Sequence, residues 1–375
     1  MLDRLPAHVI DSILLDAGGA DDSRGTRQLA KLGEVCRSTR GPARRASLHT
    51  VSPRQRLLEL LRAEPALARH IRAFRFEPPR GDADGRAEWS EVAARILRMA
   101  RWARRIIILA QIADLGPFVI SAMAGVPWTD VSVYIWSDDD VTGEPDGDDD
   151  GLSEAARIAR TIKIIDIVEA IATDALRLEL EVGGIALPAE RTAAMPWPSL
   201  PKSRSLILLD VEHESFTAFA RMAPRIVTLD VYLEPSTSDG PSWLSTFGFG
   251  KVPAAETIES LIVRNAVHPI QVMAELPRLA HLNVWFGDTE WSTLPFLRLN
   301  RPLTSIRLQA DDDAHLAVVM ALVYMAIGAR QASDAPLFRE VTVVSGCWAA
   351  ADKGADATLR QLCEARGILY RRLRY

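Results

Sequence analysis

Ile226-Val227-Thr228-Leu229-Asp230-Val231-Tyr232 sets an apolar residue, two others, an apolar residue, one other and a third apolar residue in a row. Its last four positions alternate. That is the period of a strand with one buried side, because successive side chains leave a strand on opposite faces. The phrase returns upstream as Ile71-x-x-Phe74-x-Phe76, Ala103-x-x-Ile106-x-Ile108, Trp128-x-x-Val131-x-Val133, Ala175-x-x-Leu178-x-Leu180 and Leu206-x-x-Leu209-x-Val211. Downstream it returns as Ile258-x-x-Leu261-x-Val263, Leu279-x-x-Leu282-x-Val284, Leu303-x-x-Ile306-x-Leu308 and Phe338-x-x-Val341-x-Val343. Most starts lie roughly 20 to 35 residues apart, a period at which each repeat is one small unit that must stack on its neighbours to bury its core.

If each phrase is a strand, the intervening residues point the other way. They are Arg177, Glu179 and Glu181; Asp210 and Glu212; Thr228, Asp230 and Tyr232; Ser260 and Arg264; His281, Asn283 and Trp285; Ser305, Arg307 and Gln309; Glu340 and Thr342. Among these residues the apolar exceptions are Leu208, Ile262 and Val344. One face is therefore expected to be buried and the other wet.

Helix-like segments fill the gaps, at 89–103, 118–124, 215–222, 269–276, 313–330 and 355–365. Ala159-x-x-Ile162-x-Ile164 also fits the phrase, but it lies too near the Ala175 phrase and reads as a helix running into Val168 and Ile171. Strand, helix, strand at this period predicts an α/β fold, a parallel sheet wound as a solenoid with helices on its outer side. Residues 71–375 form that array, and 52–70, rich in leucine, reads as a helical linker leading into it.

Ahead of the linker, residues 1–51 form a separate head. Leu5-Pro6-Ala7-His8-Val9-Ile10-Asp11-Ser12-Ile13-Leu14 opens an amphipathic helix, with Pro6 in the first turn where its missing N–H costs nothing. After a Gly/Asp-rich break, Leu29, Leu32, Val35 and Cys36 recur at helical spacing, and a short piece entered through Pro42 ends in Leu48-His49. Three helices this small bury too little apolar surface to stand alone.

The order Leu-Pro, short helix, Leu-rich second helix, Val-Cys-Arg-x-x-Arg, Leu-His resembles an F-box over roughly the first fifty residues. With the repeats, the chain resembles an F-box leucine-rich-repeat protein. That resemblance implies a non-catalytic substrate-recognition subunit of a Skp–cullin–F-box ubiquitin ligase. Leu5, Pro6, Val9, Ile10, Ile13, Leu14, Leu29, Leu32, Val35 and Cys36 match the motif, so they are expected to divide between an adaptor-binding surface and the head's own core. The alternative is a repeat scaffold whose helical head only caps the array.

Composition narrows the remaining classes. A net charge of −5 argues against bulk attraction to nucleic acid or membrane. The first 110 residues nevertheless carry 21 Lys+Arg against 13 Asp+Glu, so the acidity lies downstream. Three cysteines in 375 residues make no disulfide framework. No basic-then-apolar leader is visible, since Asp3 and Asp11 interrupt it, and the longest apolar run, 316–327, is too short to span a bilayer. The expected compartment is cytoplasm or nucleus.

Nor does a catalytic constellation emerge. The acidic run Asp138 to Asp150 lacks the terminal Glu of a calcium loop and reads as a solvated connection. Gly248-Phe249-Gly250-Lys251 has Val252 where a phosphate loop needs Ser or Thr. Glu212-His213-Glu214 reads as a loop after a strand. No enzyme activity, cofactor or metal is therefore expected. The target protein is expected on the wet face, through Glu179, Glu181, Asp210, Asp230, Tyr232, His281, Trp285 and Arg307. Because the acids cluster in the first half of the array, a basic patch on the partner is expected there. Charge reversal at Glu179 and Asp210 should then change capture and its salt dependence. Charges that merely keep a sheet soluble are the alternative.

Overall fold

A computed structural model describes residues 48–79, 83–111, 114–136, 154–181, 198–209, 220–232, 253–264, 276–286, 303–310, 313–328, 336, 338–345 and 353–374. The head positions Leu5, Pro6, Val9, Ile10, Ile13, Leu14, Leu29, Leu32, Val35 and Cys36 lie outside them, as do the acidic run, the Gly248 turn, Asp210 and Glu212. The chain divides into two compact units, Met1–Leu180 and Glu181–Tyr375.

In the first unit, strands β1 (Thr50–Val51), β2 (Ala73–Phe76), β3 (Arg105–Gln111), β4 (Asp130–Trp136) and β5 (Arg177–Glu181) follow chain order in one sheet. β1 to β4 pair parallel, in the registers Val51↔Phe74, Phe74↔Ile106 and Ile106↔Val131. Parallel neighbours need crossovers. These are α1 (Gln55–Ala63) with a 3-10 turn (Pro65–His70), then α2 (Ala83–Met99), α3 (Pro117–Ala124) and α4 (Glu154–Ile171). Crossovers of one hand set consecutive helices side by side over one face of the sheet, and α1–α2, α2–α3 and α3–α4 do pack together.

In the second unit, β6 (Ser205–Leu209), β7 (Thr228–Tyr232), β8 (Ser260–Arg264), β9 (His281–Phe286), β10 (Leu303–Ala310), β11 (Phe338–Ser345) and β12 (Leu369–Leu373) are likewise parallel and in chain order. Helix α5 (Asp313–Gly328) crosses from β10 to β11 and α6 (Lys353–Ala365) from β11 to β12. Gly367, at φ +67°, supplies the left-handed residue that ends α6. No described helix is long and apolar enough to cross a membrane.

The backbone explains the spacing of the phrase. Its first apolar residue closes a tight turn, as Ala103 N donates to Ala100 O (3.0 Å), Ala175 N to Ala172 O (3.0 Å) and Leu279 N to Leu276 O (3.2 Å). The next N–H groups both reach one carbonyl of the preceding repeat. Arg104 and Arg105 donate to Arg72 O, Thr129 and Asp130 to Arg104 O, and Glu259 and Ser260 to Val227 O. The strand then begins, so the first apolar side chain and the two strand positions all enter the core. Ala103, Ile106 and Ile108 are each fully buried, and so are Ala175, Leu178 and Leu180. Each large aliphatic among them contributes roughly 1.5–3 kcal/mol by leaving water.

Two expectations shift. The phrase at β6 runs Ser203-x-x-Leu206-x-Leu208, three residues earlier than the spacing predicted. Ser203 N closes the turn on Leu200 O (3.1 Å), and Leu206 and Leu208 are buried while Leu209 is half-buried. Three leucines in four positions satisfy either register by hydrophobicity, and only the pairing Ser205↔Thr228 decides. The sheet also begins before Ile71. Leu48 and Val51 are buried and Thr50 pairs with Ala73, so residues read as the end of the head open the first repeat. Residues 52–70, read as a linker, form its crossover. By contrast, the segment around Ile162 is helical within α4, as expected, with Val168 and Ile171 in the core.

Candidate functional site

The side of each sheet away from the described helices carries the intervening residues, and the parallel register sorts them into rows. In the first unit one row runs Ala73, Arg105, Asp130 and the next Arg75, Ile107, Ser132. These groups are tied to one another. Arg177 reaches Asp130 at 2.9 Å and Glu179 at 2.5 Å, and Arg105 reaches Asp130 at 3.4 Å. Glu179 also accepts the hydroxyls of Tyr134 (2.7 Å) and Ser132 (3.2 Å). Burial works against the charge of Arg177, but the Asp130 hydrogen bond and the Glu179 charge outweigh it and hold its pKa above the usual arginine value.

In the second unit Arg264 grips Asp230 with two bonds, Nε to Oδ1 at 3.1 Å and Nη2 to Oδ2 at 2.7 Å. Its guanidinium also lies 5.2 Å from the Trp285 ring centroid. The two-bond fork fixes the orientation as well as the position of the arginine. His281 Nδ1 sits 2.8 Å from Ser305 Oγ, and Arg371 reaches Glu340 at 3.1 Å. Arg307, midway along β10, is exposed and makes no ion pair with these carboxylates.

The predicted site residues thus have distinct fates. Asp230 stands on the expected face but is only 4% exposed, consumed by Arg264. Glu179 is likewise engaged, so reversing its charge breaks three contacts before it can alter any partner. Glu181 ends β5 half-buried, Tyr232 ends β7 half-buried, and Trp285 stacks on Arg264. His281 and Arg307 are exposed. Arg177, Ser132 and Tyr134 complete the first cluster and were not among the predicted site residues. The signal available was their position: each is an intervening residue of its phrase, with a carboxylate at the same or the next position one repeat away.

No group of three or more His, Cys, Asp or Glu that could hold a metal occurs among the described residues. Cys363 is fully buried, and burial, with Glu364 adding to it, pushes its thiol up to about 11. Thiolate is therefore scarce at pH 8. In a variant with Cys36 and Cys347 replaced by Ser, iodoacetamide should leave Cys363 unlabelled at pH 8 until denaturant is added. Rapid labelling of the folded chain would contradict this burial. An open cleft of about 410 Å³ lies between α2 and α3, but Arg86 at its wall is already bonded to Gln111 (2.8 Å) and near Asp114 (3.4 Å). The sheet faces, rather than a cavity, bring the larger set of polar groups into register. Set against models of known protein families the sequence matches none, and no curated protein matches it.

Proposed function

We propose that this chain is a non-catalytic receptor subunit. Its F-box-like head, through Leu5, Pro6, Val9, Ile10, Ile13 and Leu14, takes a Skp-type adaptor and so joins a cullin–RING ubiquitin ligase in cytoplasm or nucleus. Its leucine-rich-repeat-like strands hold a target protein on the face that the helices leave open. The observation that carries the second half is the ordered, parallel stacking of strands within each unit, where the face away from the described helices presents polar side chains locked by ion pairs. A platform already fixed before binding loses little side-chain freedom when a partner arrives. The head assignment is supported by the order and spacing of its motif residues.

Replacing Leu5 and Pro6 with Ala is expected to cut capture of purified Skp-type adaptor by roughly tenfold or more, since each lost aliphatic contact is worth over 1 kcal/mol. Undiminished capture would remove the docking assignment. One observation favours the second reading, a repeat scaffold with a helical cap. Leu48 and Val51, the end of the F-box-like stretch, already belong to the first repeat. A chain that folds normally yet ignores the adaptor would decide for the cap.

A further inference from the structure

The charges on the open faces are almost wholly spent on one another. Arg75 is paired with Glu77, Arg105 and Arg177 with Asp130, Arg264 with Asp230, and Arg371 with Glu340. Arg307 is the exception: it is exposed and makes no ion pair or hydrogen bond among the described residues. Its row, read across four strands, is Asn283, Arg307, Thr342, Arg371. Thr342 is already committed, donating to Glu340 at 3.3 Å. Asn283 is not, for its Oδ1 is buried without a partner. That oxygen offers an anion nothing; what the amide can give a carboxylate is its NH2 group, and the soft χ2 of an asparagine lets that end turn outward. At the far end of the row Arg371 keeps more than half its side chain in solvent, and Leu369 and Leu373 beside it on β12 are 50% and 43% exposed.

We infer that this row is the recognition site for an extended acidic segment of the target protein, with acidic residues three apart and aliphatic residues beside them. The inference rests on the receptor reading above and sets the sign of the charge that the face selects. Neighbouring strands lie about 4.8 Å apart, so Arg307 and Arg371, two strands distant, are separated by about 10 Å. A polyproline-II-like extended chain covers about that distance in three residues at about 3.1 Å each and, with three residues per turn, returns the third side chain to the same side. One carboxylate meets the unpaired Arg307 fork with the Asn283 amide at its side, and the other meets Arg371. The aliphatic side chains of the segment cover Leu369 and Leu373. The basic patch expected from sequence faced the acids of the first half of the array; this row lies in the later half, which carries Arg264, His281 and Arg307. Nucleic acid fits less well, because Leu369 and Leu373 flank Arg371 with exposed aliphatic side chains that offer a phosphate no donor.

The test is fluorescence anisotropy on the full chain with a fluorescein-labelled peptide bearing Glu-Leu-Leu-Glu between glycines. Peptides with Gln or Lys in place of both Glu residues and a twelve-nucleotide single strand serve as controls. The Glu peptide is expected to bind, with affinity that falls as salt rises, and the Gln and Lys peptides to bind at least about tenfold more weakly. Arg307→Glu should weaken the Glu peptide by a similar factor while leaving the circular dichroism unchanged, and Arg307→Lys should recover part of the loss, since Lys cannot offer a fork. Equal binding by Arg307→Glu, absence of Glu-peptide binding, or preference for the oligonucleotide would each overturn the inference. No adaptor enters this measurement. A failed peptide with intact adaptor capture therefore removes this site alone, and failed adaptor capture with intact peptide binding removes only the ligase role.

Discussion

Replacing Trp128 with Ala is expected to lower the unfolding free energy by about 3–5 kcal/mol, the usual range for a large aromatic deleted from a core. Trp128 is fully buried at the turn that opens β4, and it is the largest fully buried side chain among the described residues. It fills the place that Ala103 and Ala175 fill in the neighbouring repeats, and those two alanines are too short to close over the gap. Its indole N–H also donates to Met123 O at 2.8 Å. That carbonyl keeps a second donor, Val126 N at 3.1 Å, so the cost is chiefly cavity and lost contact rather than a stranded acceptor. Trp128→Leu should accordingly cost much less. Urea denaturation followed by circular dichroism gives the size, and hydrogen exchange should place the loss in β3 to β5. A loss below about 1 kcal/mol would mean that the turn position is not core.

Removing Arg264 is expected to cost about 3 kcal/mol, while removing the whole pair costs little. Asp230 has a side-chain exposure of only 5%, and Arg264 neutralises it with two bonds. Arg264→Ala therefore leaves a carboxylate out of water without the two bonds of its arginine, and a broken buried pair is strongly damaging. Asp230→Ala is milder, since Arg264 is 32% exposed and can turn to solvent. The combined Asp230→Leu and Arg264→Leu change removes both charges and should recover most of the stability lost by Arg264→Ala. If Arg264→Ala costs no more than a surface change of about 0.5 kcal/mol, the pair is ornamental and the open face is not preorganised.

Much of the architecture was legible because the phrase encodes two separate events, a turn and a strand. The three-residue step from Trp128 to Val131 is the turn, and the two-residue step from Val131 to Val133 is the pleat. Where hydrophobicity is redundant, as in Leu206-Ile207-Leu208-Leu209, the register is set by hydrogen bonds to the next strand and hydrophobicity cannot locate it. Where a strand is only two residues long, as at Thr50–Val51, its phrase is easily absorbed into the preceding helical pattern. The charge logic of the candidate site was harder to see. Asp230 and Arg264 lie 34 residues apart and meet diagonally across β7 and β8, so nothing local marks them as partners. Sequence showed which residues share a face. It could not show that most of their charge is already spent, which leaves Arg307 as the group to watch.

A receptor must hold the adaptor at its head while its open face remains available. Sedimentation velocity on the full chain mixed with purified Skp-type adaptor and the labelled Glu-Leu-Leu-Glu peptide measures both at once. The predicted result is a single complex with one chain, one adaptor and one peptide, in which Leu5→Ala with Pro6→Ala releases only the adaptor and Arg307→Glu only the peptide. A folded chain that sediments apart from the adaptor would contradict the receptor account.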